Sequence, residues 1–204
     1  SWSHAEVAAQ QVMSDWTSEN FSEPSIARTV TSAMTVGSHL VVSSSMPIRD
    51  VEWFGTTTSG VTVHSNRGTN GIDGVVSTAV GVSLATKARV TLLIGDIACL
   101  HDSNGLWALN RRDVDLTIVV TNNDGGSIFS FLPQAQIVSN SHFELLYGTP
   151  HGASFEHLAA THGIAFERVT TVSELAATLQ HGGTRLVEVS CDRVSNVSQH
   201  EALQ

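Results

Sequence analysis

Six short runs of mostly aliphatic, β-branched residues recur along the chain: His39–Ser43 (HLVVS), Val61–His64, Val90–Ile94 (VTLLI), Leu116–Thr121 (LTIVVT), Ala165–Val169 and Arg185–Val189. The central ones are continuous rather than alternating, which marks strands buried on both faces. Between the runs lie segments with apolar residues at helical spacing, at Ile72–Thr86, about Ser103–Asn110, Phe155–His162 and Val172–Gln180. Strands separated by crossover helices pair in parallel, and helices must then cover both faces. The expected fold is therefore α/β, a doubly wound, mainly parallel sheet flanked by helices. Two further helices precede the first strand. One spans His4–Trp16, with Ser3 as N-cap and Glu6 as its capping-box partner. The other starts at Ser22-Glu23-Pro24, runs through Ile26, Val30 and Met34, and stops near Gly37. Residues 1–37 read as a lead-in helical segment packed on a single domain of residues 38–204.

Composition narrows the function. With 41% hydrophobic and 14% charged residues in 204, the chain can bury a full core. Its net charge of −9 disfavours broad attraction to nucleic acid, though it does not exclude peripheral contact with a membrane. No apolar run approaches the roughly 20 residues that span a bilayer. Cys99 and Cys191 lie far apart without CxxC spacing, which suits a reducing cytoplasm. The opening SWSHAEVAAQQ lacks an initiator Met and reads as a piece of a longer chain.

In doubly wound sheets ligands sit outside the carboxyl ends of the strands. Gly95-Asp96 follows VTLLI directly, and Asn122-Asn123-Asp124-Gly125-Gly126 follows LTIVVT. One crossover separates Asp96 from Asn123, so both side chains are expected at the same sheet edge. The Asp96 carboxylate, the Asn123 amide oxygen and the Gly125 carbonyl are hard oxygen ligands suited to Mg²⁺ or Mn²⁺. Gly125 and Gly126 permit positive φ and close approach of an anionic group. Taken singly, Gly-Asp is often a helix cap and Asn-Asn-Asp-Gly-Gly is ordinary turn chemistry. The latter lacks the oxygen-bearing alternation of an EF-hand, and Gly68, Gly71 and Gly74 are spaced GxxGxxG rather than GxGxxG. The histidines, His101, His142, His151 and His157 among them, show no metal-ligand spacing and are expected in surface or capping roles. Cys99 is expected to be a buried structural thiol.

The pair of strand-end motifs resembles the diphosphate-binding motif of thiamine diphosphate enzymes. Together with SSSMPIRD (43–50), SNRGTNGIDGVVSTAVG (65–81), GDIACLHDSNGL (95–106) and NNDGGSIFSFLPQ (122–134), it resembles the 2-succinyl-5-enolpyruvyl-6-hydroxy-3-cyclohexene-1-carboxylate synthases of menaquinone biosynthesis, over that family's C-terminal third. The resemblance implies the thiamine diphosphate-binding fold and a transferase that decarboxylates 2-oxoglutarate and adds the succinyl unit to isochorismate by 1,4-addition. It implies thiamine diphosphate and Mg²⁺ (or Mn²⁺) as cofactors, a cytoplasmic homodimer or homotetramer, and other domains of the same enzyme as partners.

By position in those motifs, Gly95, Asp96, Ile97, Ala98, Asn123, Gly125 and Gly126 would hold the cofactor, with Asp96, Asn123 and Gly125 on the metal. Ile72 would prop the cofactor in its bent form, and Ile128 and Phe129 would form a dry wall beside its thiazolium. Ser45, Arg49 and Arg67 would bind the anionic substrates, the guanidinium fork matching a carboxylate bidentately. Ile97 stands where the motif usually has a small residue, and Ala98 offers only its backbone N–H where a hydroxyl is common. The activating glutamate belongs to the family's N-terminal domain. No residue here matches it, so no catalytic residue is assigned and this chain alone is expected to be inactive. Two other readings stand beside this one: another thiamine-dependent carboligase or decarboxylase resembling acetohydroxyacid synthase, and a non-catalytic cofactor-binding or assembly module.

Overall fold

Every one of the six apolar runs forms a strand in the computed structural model, which describes residues 1–56, 58–66, 68–69 and 71–203. They are β1 (His39–Val42), β2 (Thr62–Ser65), β3 (Val90–Gly95), β4 (Leu116–Asn122), β5 (Ala165–Val169) and β6 (Arg185–Ser190). All pair in parallel in the order β2-β1-β3-β4-β6-β5. From β1 the chain steps outward to β2, then crosses back to lay β3 on the other side of β1. That reversal leaves a crevice at the carboxyl ends of β1 and β3.

The helices are α1 (Trp2–Glu19), α2 (Glu23–Ser32), α3 (Met46–Phe54), α4 (Val75–Thr86), α5 (Asp96–His101), α6 (Gln134–Ile137), α7 (Asn140–Phe143), α8 (Phe155–His162), α9 (Val172–Thr178) and α10 (Asn196–Glu201). Alternation along the strands sorts their side chains to two faces. Leu92, Ile94, Ile118 and Val120 join α4 and α8 in one core layer, built on Val76, Ala79, Phe155 and Ala159. Leu93, Val119, Val187 and Val189 join α2 and α9 in the other, against Ile26, Val30, Leu175 and Leu179. Both faces are thus dry, as the continuous apolar strands require. Among the described residues no helix is long and apolar enough to cross a membrane.

Several boundaries differ from the sequence expectation for identifiable reasons. Helix α1 begins at Trp2 after Ser1, with no side-chain cap, and Glu6 accepts from Gln10 one turn on instead of closing a capping box with Ser3. Helix α2 does form a box at Ser22, but Ser25 supplies the reciprocal bond, and the helix stops at Ser32. The turn at 35–38 then closes through Ser38 and Thr35 before β1. Left-handed Gly74 delays α4 to Val75 and leaves Ile72 in the preceding turn. Residues 103–111 are two 3₁₀ turns, Ser103–Leu106 and Leu109–Arg111, rather than one helix. Ala108 at φ 57 separates them, and Asp102 is engaged in capping α4 through the Ser77 N–H.

Ile118 is fully buried in the central strand β4. Replacing it by Ala is expected to lower unfolding free energy by about 2–5 kcal/mol, read from the urea midpoint at constant m-value.

Candidate active site

Four stretches distant in sequence converge on the β1/β3 crevice. Ser43–Pro47, Ile72, Gly95–Ala98 and Asn123–Phe129 (Asp124 aside) line one cavity of about 250 Å³, with Thr121 and Glu23. Strand β3 delivers Gly95 and Asp96, and β4 delivers Thr121 and the loop after it. The Asp96 side chain is buried and organises that loop. Its Oδ2 accepts the backbone N–H groups of Asn123 at 3.1 Å and Gly125 at 2.9 Å, while Oδ1 accepts from Ile97 at 2.6 Å.

The loop is tight for steric reasons. Asp124 sits at φ 57 and Gly125 at φ 143, and a Cβ on Gly125 would lie 1.9 Å from the Gly148 carbonyl oxygen. A Cβ on Gly126 would lie 2.3 Å from the Tyr147 oxygen, and the Gly126 N–H donates to Gly148 at 2.8 Å. The segment pressed against these glycines is a π-helical turn, Glu144–Gly148, held by Arg193 donating to Glu144 at 2.6 Å. Asp124 Oδ1 accepts from the N–H groups of Gly152 and His151, and these bonds hold its carboxyl below the usual carboxylate range.

Every predicted cofactor residue lines the cavity: Gly95, Asp96, Ile97, Ala98, Asn123, Gly125, Gly126, Ile72, Ile128 and Phe129. Ser45 does too, at φ 75 just ahead of α3. Arg49 does not. It lies on the exposed side of α3 and donates back to the Ser45 carbonyl, one turn from the cavity wall. Arg67 lies outside the described residues. Cys99 is buried and its thiol is pushed up to about 12, chiefly by burial, which keeps it inert.

Three groups at the site or behind it depart from the sequence reading. Among the described residues no three His, Cys, Asp or Glu side chains cluster to hold a metal. Two histidines nevertheless depart from the expected surface role. His151 Nε2 lies buried 3.2 Å from Asp96 Oδ2, without hydrogen-bond geometry. His200, on α10, is fully buried between Phe54 and Phe131, 2.8 Å from Asp50 Oδ1. The third is Glu23, read from sequence as an early-turn acid. It is only 3% exposed and accepts from Asn123 Nδ2 at 2.8 Å. Burial, with Asp50 nearby, pushes its carboxyl up to about 7. Burial also raises Asp50. For His200 burial acts downward, but the hydrogen bond and charge of Asp50 outweigh it and the imidazole is raised.

The family model "Thiamine pyrophosphate enzyme, C-terminal TPP binding domain" matches residues 52–189. A 2-succinyl-5-enolpyruvyl-6-hydroxy-3-cyclohexene-1-carboxylate synthase from Myxococcus xanthus is 47% identical over 186 residues, covering 89% of this chain and 32% of that protein. The protein of the same name from Chloroflexus aurantiacus is 42% identical over 208 residues, covering 99% of this chain and 35% of the relative. This chain therefore spans about a third of the length of the curated relatives it matches. Among solved structures, benzoylformate decarboxylase from Polynucleobacter necessarius superposes with a TM-score of 0.66 at 15% identity, over 83% of this chain and 33% of that one, a likeness of fold.

Two outcomes follow from the geometry. Gly125→Ala forces a side chain into the Gly148 carbonyl at positive φ and is expected to destabilise the chain by roughly 1–3 kcal/mol, read by thermal unfolding. The His200–Asp50 pair sets a pH dependence. Its histidine is raised when folded, so that stabilisation is complete below the ordinary value of 6.5 and is lost as pH rises through the folded value. Glu23 and Asp50, also raised, act in the same direction. The melting temperature is expected to fall as pH rises above 6.5, and His200→Gln to make that fall shallower.

Proposed function

The chain belongs to the thiamine pyrophosphate enzymes and carries their C-terminal TPP binding domain, and on that premise we propose that it is the cofactor-holding part of a 2-succinyl-5-enolpyruvyl-6-hydroxy-3-cyclohexene-1-carboxylate synthase acting on 2-oxoglutarate and isochorismate. The observation that carries this reading is the convergence of its four motif stretches on one cavity, two of them tied together by Asp96. The identity to synthases of that name supports the choice within the family.

The residues present fit a divalent cation and a diphosphate. Asn123 Oδ1 is buried and, among the described residues, has no hydrogen-bond partner. A buried amide oxygen left unpaired costs about 1–3 kcal/mol, which a cation would offset. With the Asp96 carboxylate and the Gly125 carbonyl it makes an all-oxygen donor set, the chemistry Mg²⁺ or Mn²⁺ prefers. The two glycines keep Cβ atoms out of the loop beside it. Thiamine diphosphate, when bound, supplies the electron sink that decarboxylation needs.

The protein's own side chains orient and exclude water. Ile72 packs against the first core layer and lines the cavity, so it presents a fixed apolar surface there. Ile128 and Phe129 extend that apolar surface along the 3₁₀ segment Ser127–Phe131. Arg49, tied to the Ser45 carbonyl, stands beside the cavity wall as a carboxylate clamp for an anionic substrate. Arg67 is assigned a second clamp by its motif alone. None of the glutamates in this chain takes the activating role, which falls to another domain of the same enzyme, in a cytoplasmic homo-oligomer.

Asp96→Asn in the full-length protein is expected to weaken Mg²⁺-dependent thiamine diphosphate binding on the order of 100-fold by calorimetry, with EDTA abolishing it in the parent. Unchanged affinity would remove the basis of the reading. Arg49→Ala is expected to raise KM for one anionic substrate while leaving cofactor affinity unaltered. The 204-residue chain alone is expected to form no product from 2-oxoglutarate and isochorismate.

A further inference from the structure

A carboxyl group inside a protein needs a reason to be there. Glu23 is 3% exposed, and among the described residues no lysine or arginine pairs with it. Asp50 and His200, its titratable neighbours, are engaged with each other. Its position in the first turn of α2 favours a negative charge, but only modestly. Its hydrogen-bond contact is specific: Oε1 accepts Asn123 Nδ2 at 2.8 Å, while the other end of that amide, Oδ1, is buried with no partner among the described residues.

An asparagine amide has two ends of similar size and opposite chemistry. Only the oxygen can ligate a cation; the NH₂ would present hydrogens to it. Left alone, the Asn123 side chain could sit either way round. In its ionised form, which the hydrogen bond from Asn123 favours, the carboxylate on one side only accepts and removes that freedom, because the reversed amide would set oxygen against oxygen.

We propose that Glu23 is a positioning residue that fixes the Asn123 amide with its NH₂ turned inward and its oxygen presented to the cation. The inference rests on reading the cavity as a cation and diphosphate site. Glu23 lines the cavity, but the role assigned to it runs through its bond to Asn123, as with outer partners of metal ligands.

The test uses the full-length protein with thiamine diphosphate and Mn²⁺ as the probe, free Mn²⁺ being followed by electron paramagnetic resonance. Glu23→Ala releases the amide, and the Mn²⁺ dissociation constant is expected to rise about 10- to 100-fold. Glu23→Gln loses the charge but keeps a carbonyl oxygen that accepts from Asn123, so its constant is expected to rise by less than about tenfold. A swap examines orientation directly. Asn123→Asp sets two carboxylates face to face and weakens binding, and adding Glu23→Gln restores one donor and one acceptor between them, recovering at least about tenfold.

Wild-type affinity in Glu23→Ala would overturn the proposal. So would equal losses in the Ala and Gln variants, which would mean that Glu23 acts by charge, or a swap without recovery. Should Glu23→Ala fail to fold by circular dichroism, the Gln variant and the swap still decide. Asp96→Asn separates the two levels: retained Mn²⁺ binding there would refute the site itself, whereas its loss beside an unaffected Glu23→Ala would refute only the role of Glu23.

Discussion

The carboxylate of Asp96 holds the site together. It sits at the end of β3, yet two of its three hydrogen bonds come from the loop after β4, from the N–H groups of Asn123 and Gly125. Parallel pairing of β3 with β4 brings Gly95 level with Thr121, which puts the two loops within reach of each other. A charged acceptor bonded to backbone donors in a buried setting is among the stronger hydrogen-bonding arrangements available. From it follow the left-handed turn at Asp124, the open φ of Gly125, and the close seating of the Glu144–Gly148 turn on glycines that nothing larger could replace.

Behind this loop lies a second polar layer. Glu23 reaches Asn123 from α2, Asp50 reaches His200 from α3, and Asn196 donates to Ser127 at 2.6 Å from α10. Three elements from opposite ends of the chain thus meet beneath the cavity floor through buried polar bonds rather than apolar contact alone. Buried polar groups are directional, so they fix how helices are placed where aliphatic packing tolerates sliding. For α3 this matters doubly, since one face of that helix carries Asp50 into the layer and the next residue back, Arg49, faces solvent one turn from the cavity wall.

The sheet and most of the site were legible because they depend on local signals. Continuous apolar runs specify buried strands, and Gly-Asp and Asn-Asn-Asp-Gly-Gly follow such runs directly, so topology alone brings them to one edge. What stayed hidden depends on contacts distant in sequence. Glu23 reads as a helix-start acid because its local pattern, Ser22 followed by Pro24, is a complete cap; nothing nearby reveals that residue 123 waits for it. His200 has no spacing signature, as its partner lies 150 positions away. Helix α3 has its own local sign, Pro47 in the first turn, masked by the serines before it. Arg49 is assigned to the substrates by its place in SSSMPIRD, and the helix turns it outward.

Net charge poses the remaining constraint. Two acidic side chains, Glu23 and Asp96, line the cavity of a chain already at −9. A diphosphate carried into such a cavity would meet the Asp96 carboxylate, and at an effective dielectric near 20 a unit-charge pair about 5 Å apart costs about 3 kcal/mol. The N–H groups of Ile97, Asn123 and Gly125, already committed to Asp96, offset little of that. On the proposed reading the divalent cation is therefore an electrostatic requirement before it is a geometric one: it stands between two sets of anionic oxygens that otherwise exclude each other. Seen this way, the acidic lining selects for a metal-bound anionic ligand and against the same ligand without metal.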